Sequence, residues 1–398
     1  MKKDYERRFK LILLFFCLLF ILTGCFSSEE IEDRAFNIGV AIDKVDDDAK
    51  EMDSQKRGAT YEKKNVLKVT FQYMNTVSAK PEAKGGGKKQ YINVSEIGDS
   101  NHQMIREVAL KQENPIMFHH TKVIIINANV LKVNKMTEVL DLYLRDNELR
   151  PTCLLLVSSG PAKDALETKL PEIIPSFRLI GIIDNDYRSN KILPPMPLAK
   201  LEGKMHSGSS YLLQNVFSDH GDIKFSGGVI IDGKTNLLRG KITEDEVTGI
   251  NMITGETKGG LIKAREEKSG KVIIYEIKSL KTKIIPHVNR NKISFDIKIK
   301  SEGTLTETWG IPKESEKAFI KNAEKLIEQQ TRKIIKKTLN TTQKKYRVDV
   351  ADFGNQLSIS HPHIWKKVKN NWDSTFSEIP INYSIQIKIN DYGSRSLK

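Results

Sequence analysis

Apolar residues in the first half of the chain fall into short runs with the length of β-strands. Continuous runs at 35–42, 122–126 and 154–157 are typical of buried strands. At 67–74 apolar and polar residues alternate, which predicts a strand with one exposed face.

Helical spacing separates these runs. It predicts helices over 95–114 and 130–144, and a third helix that begins at Pro161 and ends at Leu166. Strands and helices therefore alternate over short connections. This order favours a βαβ unit with parallel strand pairing.

The second half of the chain has a different pattern, and the change follows the proline-rich stretch 192–197. Strands are predicted at 226–238 (two strands around Asp232-Gly233), 271–283, 292–300 and 381–389. A predicted helix over 312–339 has one apolar face, formed by Phe319, Ala323, Ile327 and Ile334. We therefore expect a mainly antiparallel sheet with one solvent-exposed face and the long helix on the other.

The predicted fold class is α+β or mixed α/β, with several domains that each pack helices on a β-sheet. We expect a cleaved signal segment at 1–24, an N-terminal domain at 25–200 and a C-terminal region at 201–398. A division of the last region into subdomains of about 205–280 and 281–398 is compatible with the same pattern.

The first 25 residues have the pattern of an exported lipoprotein. Basic residues precede an uncharged apolar run at 11–22, which is shorter than the roughly 20 residues of a membrane-spanning helix. Leu22-Thr23-Gly24-Cys25 resembles a lipobox, in which the cysteine thiol takes a diacylglycerol before cleavage on its N-terminal side. We therefore predict lipidation of Cys25. The alternative is an uncleaved signal anchor with an incidental cysteine.

Charge and cysteine content agree with export to a membrane surface. Removal of residues 1–24 takes away five basic and two acidic residues and lowers the formal net charge from +14 to +11. The positive charge predicts contact with anionic headgroups or acidic wall polymer, whereas nucleic acid is a poor alternative partner outside the cytoplasm. Cys17 lies in the discarded segment and Cys25 would carry lipid. Cys153, in an apolar run, is then expected to be a buried thiol without a disulfide partner.

No residue pattern predicts a catalytic, cofactor-binding or metal site. His119-His120 would point in opposite directions at a strand edge, and His361-Pro362-His363 has no third ligand nearby. The glycine-rich stretch 85–87 lacks the complete phosphate-loop pattern. The mixed charges of 145–151 favour local ion pairs at a helix end. The basic end of the long helix favours packing on a sheet over lying on a membrane.

Several segments stand in the order found in one known family. They are Gly24-Cys25 with Glu30-Ile31 and the run at 38–44, the run at 144–151, Phe225-Ser226-Gly227-Gly228-Val229 with Gly240-Lys241, and Asp352-Phe353-Gly354 with Trp365, Trp372 and Phe376. In these segments the chain resembles the Ger(x)C spore germination lipoproteins, the C subunits of germinant receptors. It departs from the family pattern at Phe26, where a Trp often stands, and in the loops at 46–64 and 80–89.

The resemblance implies a non-enzymatic, lipid-anchored subunit with three α/β domains on the extracytoplasmic face of the spore inner membrane. It also implies two integral-membrane partners, the A and B subunits, and a small-molecule germinant bound mainly by a partner. Two alternatives remain open. One is a solute-binding lipoprotein that itself captures a small ligand, although the two halves of the chain differ in pattern. The other is a lipid-anchored enzyme that acts on the wall, for which the residues offer no catalytic pair.

Overall fold

A computed structural model of the chain describes residues 8–9, 34–45, 65–75, 89–219, 221–266, 270–290, 292–308 and 315–391. The predicted lipidation site at Cys25 and the glycine-rich stretch 85–87 lie outside these residues. Two β-sheets, with the helices packed on them, form the fold of the described part.

The first sheet is mixed and has nine strands among the described residues. They are β1 (Ala35–Lys44), β2 (Leu67–Met74), β3 (Tyr91–Gly98), β4 (Ile116–Met117), β5 (Val123–Asn127), β6 (Leu154–Ser158), β7 (Tyr211–Asp219), β8 (Asp222–Ile231) and β9 (Leu238–Ile242). The strand order is β3-β2-β1-β5-β6-β7-β8-β9, with β4 beside the start of β1. Strands β1, β5, β6 and β7 run parallel, which confirms the predicted parallel pairing.

Helices cover both faces of this sheet. They are α1 (Asn101–Val108), α2 (Met136–Val139), α3 (Asp141–Arg145), α4 (Pro175–Ile183) and α5 (Leu198–Ser207), with 3₁₀ turns at Val130–Lys132, Ala162–Leu166 and Asp184–Tyr187. Adjacent strand residues point to opposite faces. Ile124 and Leu155 therefore join one apolar core, while Ile125 and Leu156 join a core on the other face. Because both faces are covered, β5 is apolar except for its last residue and buried throughout.

Two helix predictions were wrong in their extent. The expected helix over 95–114 begins only at Asn101, where Ser100 caps it, and residues 95–98 complete β3. The expected helix over 130–144 is a 3₁₀ turn followed by the short helices α2 and α3. The segment that begins at Pro161 is likewise a 3₁₀ turn.

Strand β2 is buried on both faces, where one exposed face was predicted. Its polar residues are satisfied inside the protein, so they need no water. The Thr70 hydroxyl lies 2.8 Å from the Ser95 hydroxyl. The Gln72 amide donates to the Leu166 carbonyl at 2.8 Å and accepts from the Ser176 hydroxyl at 2.6 Å. Buried polar side chains that are hydrogen-bonded carry little penalty.

The second sheet has four described strands in the order β10-β11-β12-β13. They are β10 (Leu261–Arg265), β11 (Val272–Asn289), β12 (Lys292–Thr308) and β13 (Ile381–Asp391). β10, β11 and β12 are antiparallel, while β13 pairs parallel to β12. The runs predicted at 271–283 and 292–300 are the two arms of one long hairpin. The predicted hairpin at 226–238 instead belongs to the first sheet, as parts of β8 and β9.

Helices pack on one face of the second sheet and join it to the first. They are α6 (Glu244–Thr254), α7 (Glu316–Leu339), α8 (Phe353–Ser360), α9 (Pro362–Val368) and α10 (Trp372–Glu378), with a π-helical turn at Asn340–Tyr346 and a 3₁₀ turn at Lys369–Asn371. The predicted long helix is α7; it packs against β10 and β13, and its buried residues share one apolar core with alternate residues of β12 such as Phe295 and Ile297.

The predicted domain division at residue 200 stays a prediction. Strands β7, β8 and β9 follow that residue in the chain and extend the first sheet. The connection between the two sheets then runs through α6, which contacts both β8 and β11.

Helix α6 also packs closely against α7 at Gly249. A Cβ at Gly249 would overlap the Thr338 hydroxyl and lie 2.8 Å from the Thr338 Cβ. Thr338 is itself fully buried and donates to the Ile334 carbonyl at 2.9 Å. The absence of a side chain at Gly249 therefore allows α6, which follows the first sheet, to lie close to α7, which covers the second sheet.

We predict that Gly249→Ala lowers the free energy of unfolding by about 1–3 kcal/mol, because the overlap outweighs the better helix propensity of alanine. Urea denaturation measures the change. Gly181→Ala in α4 is the control, since nothing lies within 4 Å of its Cβ position. The control should leave stability unchanged or raise it by up to about 1 kcal/mol. Equal effects of the two substitutions would contradict the close packing.

Candidate functional site

The predicted lipid attachment point at Cys25 lies outside the described residues, and the fold begins close to it. Strand β1 begins at Ala35, so nine residues separate Cys25 from the first sheet. Fully extended, nine residues span about 30 Å. A lipid on Cys25 would therefore hold the start of β1 within about that distance of the membrane surface.

The glycines at 227 and 240 allow close backbone approaches at β8 and β9. Gly227 has a φ of +69°, and a Cβ there would overlap the Ile242 carbonyl. At Gly240 a Cβ would overlap the Tyr346 ring. The Tyr346 hydroxyl donates to the Lys241 carbonyl at 3.0 Å, so the ring covers the edge strand β9. Gly227 therefore allows β8 to lie close to the end of β9, and Gly240 allows the π-helical turn that follows α7 to pack on the first sheet.

The segments near the C-terminus converge on one buried carboxylate, Asp349. Its Oδ2 accepts hydrogen bonds from the Gly354 N–H at 2.7 Å and the Trp372 Nε1–H at 2.8 Å. Its Oδ1 accepts from the N–H groups of Ala351 at 3.0 Å and Phe353 at 3.3 Å. All four groups are donors, which is the environment that an ionised carboxylate requires.

Burial raises the pKa of Asp349, although the hydrogen bonds to Gly354 and Trp372 oppose the rise. Asp352 adopts a left-handed conformation with φ of +61° and is the N-cap residue of α8. Aromatic rings close the site, since Trp372 contacts Trp365 at a centroid distance of 5.2 Å and Phe376 at 6.0 Å. The turn at 349–354 is therefore fixed by hydrogen bonds to one side chain and by ring packing.

A second carboxylate, Asp373, connects this turn to the first sheet. Its Oδ1 accepts from the Asp349 N–H at 3.1 Å, and its Oδ2 accepts from the Ser210 hydroxyl at 3.1 Å. The Ser210 oxygen in turn accepts from the Gly233 N–H in the β8–β9 connection at 3.0 Å. Burial raises the pKa of Asp373. The chain of contacts therefore runs from the helices of the second sheet to the turn of the first.

These residues are among those that line a cleft of about 720 Å³ between α5 and the helices α8, α9 and α10. Its walls carry the amines of Lys200, Lys204, Lys234 and Lys369. The Lys204 amine lies 2.7 Å from the Asp352 carboxylate, and the Lys234 amine donates to the Asn370 carbonyl at 2.6 Å. With serine and asparagine side chains also on its walls, the cleft is suited to bind a polar group.

His119 and His120 lie apart from this cleft, and His361 and His363, at the start of α9, are not among the residues that line it. The His119 Nδ1 is 3.9 Å from the Glu148 carboxylate, and the His120 ring meets the Phe36 ring edge-on at 5.2 Å. Throughout the part of the chain that the structure describes, no group of three His, Cys, Asp or Glu side chains has metal-binding geometry. Cys153 is buried as predicted, and burial raises the pKa of its thiol to about 12.

The segment at 144–151 closes α3 and leads towards β6. Arg145 pairs with Asp141 at 2.8 Å, and the Asp146 carboxylate accepts from the Glu148 N–H at 2.8 Å. Leu149 is buried in the first sheet's core. Arg145 also lines a cleft of about 450 Å³ between α1 and α3. Local hydrogen bonds and packing therefore account for most of this segment.

Sequence reasoning missed Asp349, Asp373 and Tyr346. The motif around Phe353-Gly354 was recognised, but its buried acceptor lies a few residues earlier, between Val348 and Val350. An acidic residue directly before a turn with a second Asp is the one available signal, and many exposed turns share it.

No helix among the described residues combines the length and apolarity needed to cross a membrane.

Known proteins match both halves of the chain. The family described as "Spore germination protein N-terminal domain" matches residues 27–216, and "Spore germination B3/ GerAC like, C-terminal" matches residues 226–393. The chain is 41% identical to Spore germination protein YndF of Bacillus subtilis (strain 168), over 99% of both chains. It is 29% identical to Spore germination protein B3 of the same organism, over 97% of this chain and 98% of that protein. The crystal structure of the GerBC protein aligns with a TM-score of 0.60 and 26% identity, over 91% of this chain and 100% of that one.

We predict that Asp349→Asn lowers the free energy of unfolding by about 2–4 kcal/mol, because the amide nitrogen would face two N–H donors in either orientation. Chemical denaturation followed by Trp fluorescence measures the loss. Asp373→Asn is the matched control, since its amide can donate to the Ser210 oxygen and still accept from the Asp349 N–H. The control should cost about 1 kcal/mol or less. A neutral Asp349→Asn substitution would contradict the role given to this carboxylate.

Proposed function

The chain belongs to the GerAC-like family of spore germination proteins, as its motifs predicted, and on this premise we propose that it is the lipid-anchored C subunit of a germinant receptor. In this proposal a diacylglycerol on Cys25 holds the folded chain on the extracytoplasmic face of the spore inner membrane. There it contacts integral-membrane A and B subunits, and the germinant is bound mainly by a partner.

The single observation that carries the anchor is the lipobox-like sequence Leu22-Thr23-Gly24-Cys25 after a short apolar run. The nine residues between Cys25 and β1 are too few to let the fold move far from the bilayer. Two acyl chains on one cysteine are sufficient for stable attachment, whereas a single chain binds only weakly.

The hydrogen bonds that the buried acids accept support a role in binding and not in catalysis. The carboxylate oxygens of Asp349 and Asp373 already accept hydrogen bonds from groups that hold the turn in place. A general acid or base needs a free position towards a substrate. The family itself is one of germination proteins and not of enzymes.

The cleft between the two sheets supports a second candidate, a subunit that binds a small solute itself. Its volume of about 720 Å³ is within the range of ligand pockets, and lysine and serine side chains on its walls would suit an anionic or polar solute. Calorimetry of the unlipidated chain with candidate germinants separates the two functions. Saturable binding without partners would favour this second candidate.

We predict that deletion of the gene abolishes the response of spores to at least one germinant, and that Cys25→Ala weakens the same response. The reason is that loss of the lipid lowers the effective concentration of the chain beside its membrane partners. Germination is followed by the fall in optical density of purified spores after germinant is added.

Cys17→Ala is the matched control, because Cys17 lies in the segment that is predicted to be cleaved. This variant should germinate normally. Full activity of the Cys25→Ala chain would show that contacts with other subunits suffice without the lipid. Unchanged germination of the deletion strain with every germinant tested would refute the receptor role.

A further inference from the structure

Four lysines form a compact group on the exposed face of the second sheet. Lys281 lies directly opposite Lys300 on the neighbouring strand, and Lys283 lies opposite Lys298. Residues two apart in a strand share a face, so all four amines project from the same side. All four side chains are exposed. We call this group the lysine square.

The lysine square has no internal counter-charge. None of its four amines forms an ion pair within the described residues. Asp296 and Glu302, which lie two residues along β12 from Lys298 and Lys300, each contact other groups. The Asp296 carboxylate lies 3.0 Å from the His287 ring and accepts from the Asn382 amide at 3.3 Å. The Glu302 carboxylate accepts from the Asn390 amide at 3.0 Å.

Protection of a sheet edge explains only half of the arrangement. Lysines on edge strands prevent unwanted strand pairing, and β10 pairs with β11 only as far as Glu276, so Lys281 and Lys283 lie on a stretch of β11 with no strand on its other side among the described residues. Lys298 and Lys300 lie on β12 between β11 and β13 and are interior to the sheet. Like charges that face each other across strands destabilise a sheet. The chain nevertheless contains two such pairs side by side, which indicates that a partner supplies the missing negative charge.

We propose that the lysine square is a docking surface for the anionic headgroups of the membrane to which the chain is tethered. A sheet face presents its charges roughly in a plane, which matches a bilayer surface. Lysine amines act as point charges towards headgroups, whereas arginine would be expected for shape-specific recognition of a single carboxylate or phosphate. Clusters of four or more basic residues close to a membrane are typical of anionic-lipid contact. The inference rests on the proposed tether at Cys25, which keeps this surface near lipid.

The opposite face of the same layer offers a matched control. Helix α7 covers the buried side of the sheet, and its outer face carries four exposed lysines without ion pairs among the described residues: Lys317, Lys321, Lys325 and Lys336. Replacement of either set by glutamine removes the same charge. The comparison therefore separates a specific surface from an effect of net charge.

The experiment measures binding of the mature chain with Cys25→Ala to vesicles of phosphatidylcholine containing about 30% phosphatidylglycerol, at low salt. Co-sedimentation gives the partition coefficient. Because each lysine near an anionic surface contributes several-fold to binding, Lys281→Gln/Lys283→Gln/Lys298→Gln/Lys300→Gln should lower the coefficient at least about tenfold. Lys317→Gln/Lys321→Gln/Lys325→Gln/Lys336→Gln should change it by less than about threefold. Pure phosphatidylcholine vesicles should bind neither variant nor the parent.

Equal losses in the two quadruple variants, or no loss in the first, would overturn the proposal. Binding of the parent to a soluble polyanion such as polyglutamate but not to the vesicles would overturn it in favour of an acidic polymer. The square variant should also unfold at a higher urea concentration than the parent, because its like-charge pairs are gone; a large loss of stability would refute the claim that these pairs are unsatisfied. The vesicle assay uses a chain without lipid, so a negative result there concerns only the lysine square. The tether is tested separately, because normal germination of Cys25→Ala spores would count against it.

Discussion

The buried carboxylate of Asp349 fixes the part of the molecule where the two sheets meet. Four donors converge on its two oxygens, and they come from the turn at 351–354 and from α10. Without this acceptor, three backbone N–H groups and an indole N–H would be buried with no partner, at a cost of about 1–3 kcal/mol for each group. The positions of α8 and the aromatic rings around Trp372 follow from these bonds. The carboxylate of Asp373 accepts from the backbone N–H of Asp349 and from the Ser210 hydroxyl, so a second acid links this turn to the β8–β9 connection of the first sheet.

Periodicity predicted most strands correctly because their apolar residues face closed cores. β1, β5, β6 and β13 were found from length and alternation alone. For β2 the same reasoning wrongly predicted one exposed face. Thr70 and Gln72 were assigned to an exposed face since they are polar, but partners distant in sequence satisfy them inside the protein. The helix expected at 130–144 failed for a related reason, because its apolar spacing is compatible with short helical segments that follow the surface of the sheet.

The candidate sites also differ in how far the sequence alone could predict them. Cys25 is readable from local sequence, because a lipobox is recognised as a linear motif before folding. Asp349 could not be identified, since its donors are defined only by the folded turn and by an indole 23 residues away. The family resemblance drew attention to Phe353-Gly354 and Trp372, and the structure gives the physical reason that these residues occur together. Contact with lipid through Cys25 and a basic sheet face would leave the cleft and the remaining surfaces for protein partners.

The account depends most on the claim that the chain works in a complex with membrane subunits. The most direct measurement is affinity purification of the full chain, with a tag at its C-terminus, from spore inner membranes solubilised in mild detergent, followed by quantitative mass spectrometry. The account predicts that two integral-membrane proteins of one receptor are recovered with the chain in a fixed ratio that survives high-salt washing. Recovery of the chain alone, or of the same proteins in equal yield with an unrelated tagged lipoprotein, would contradict it.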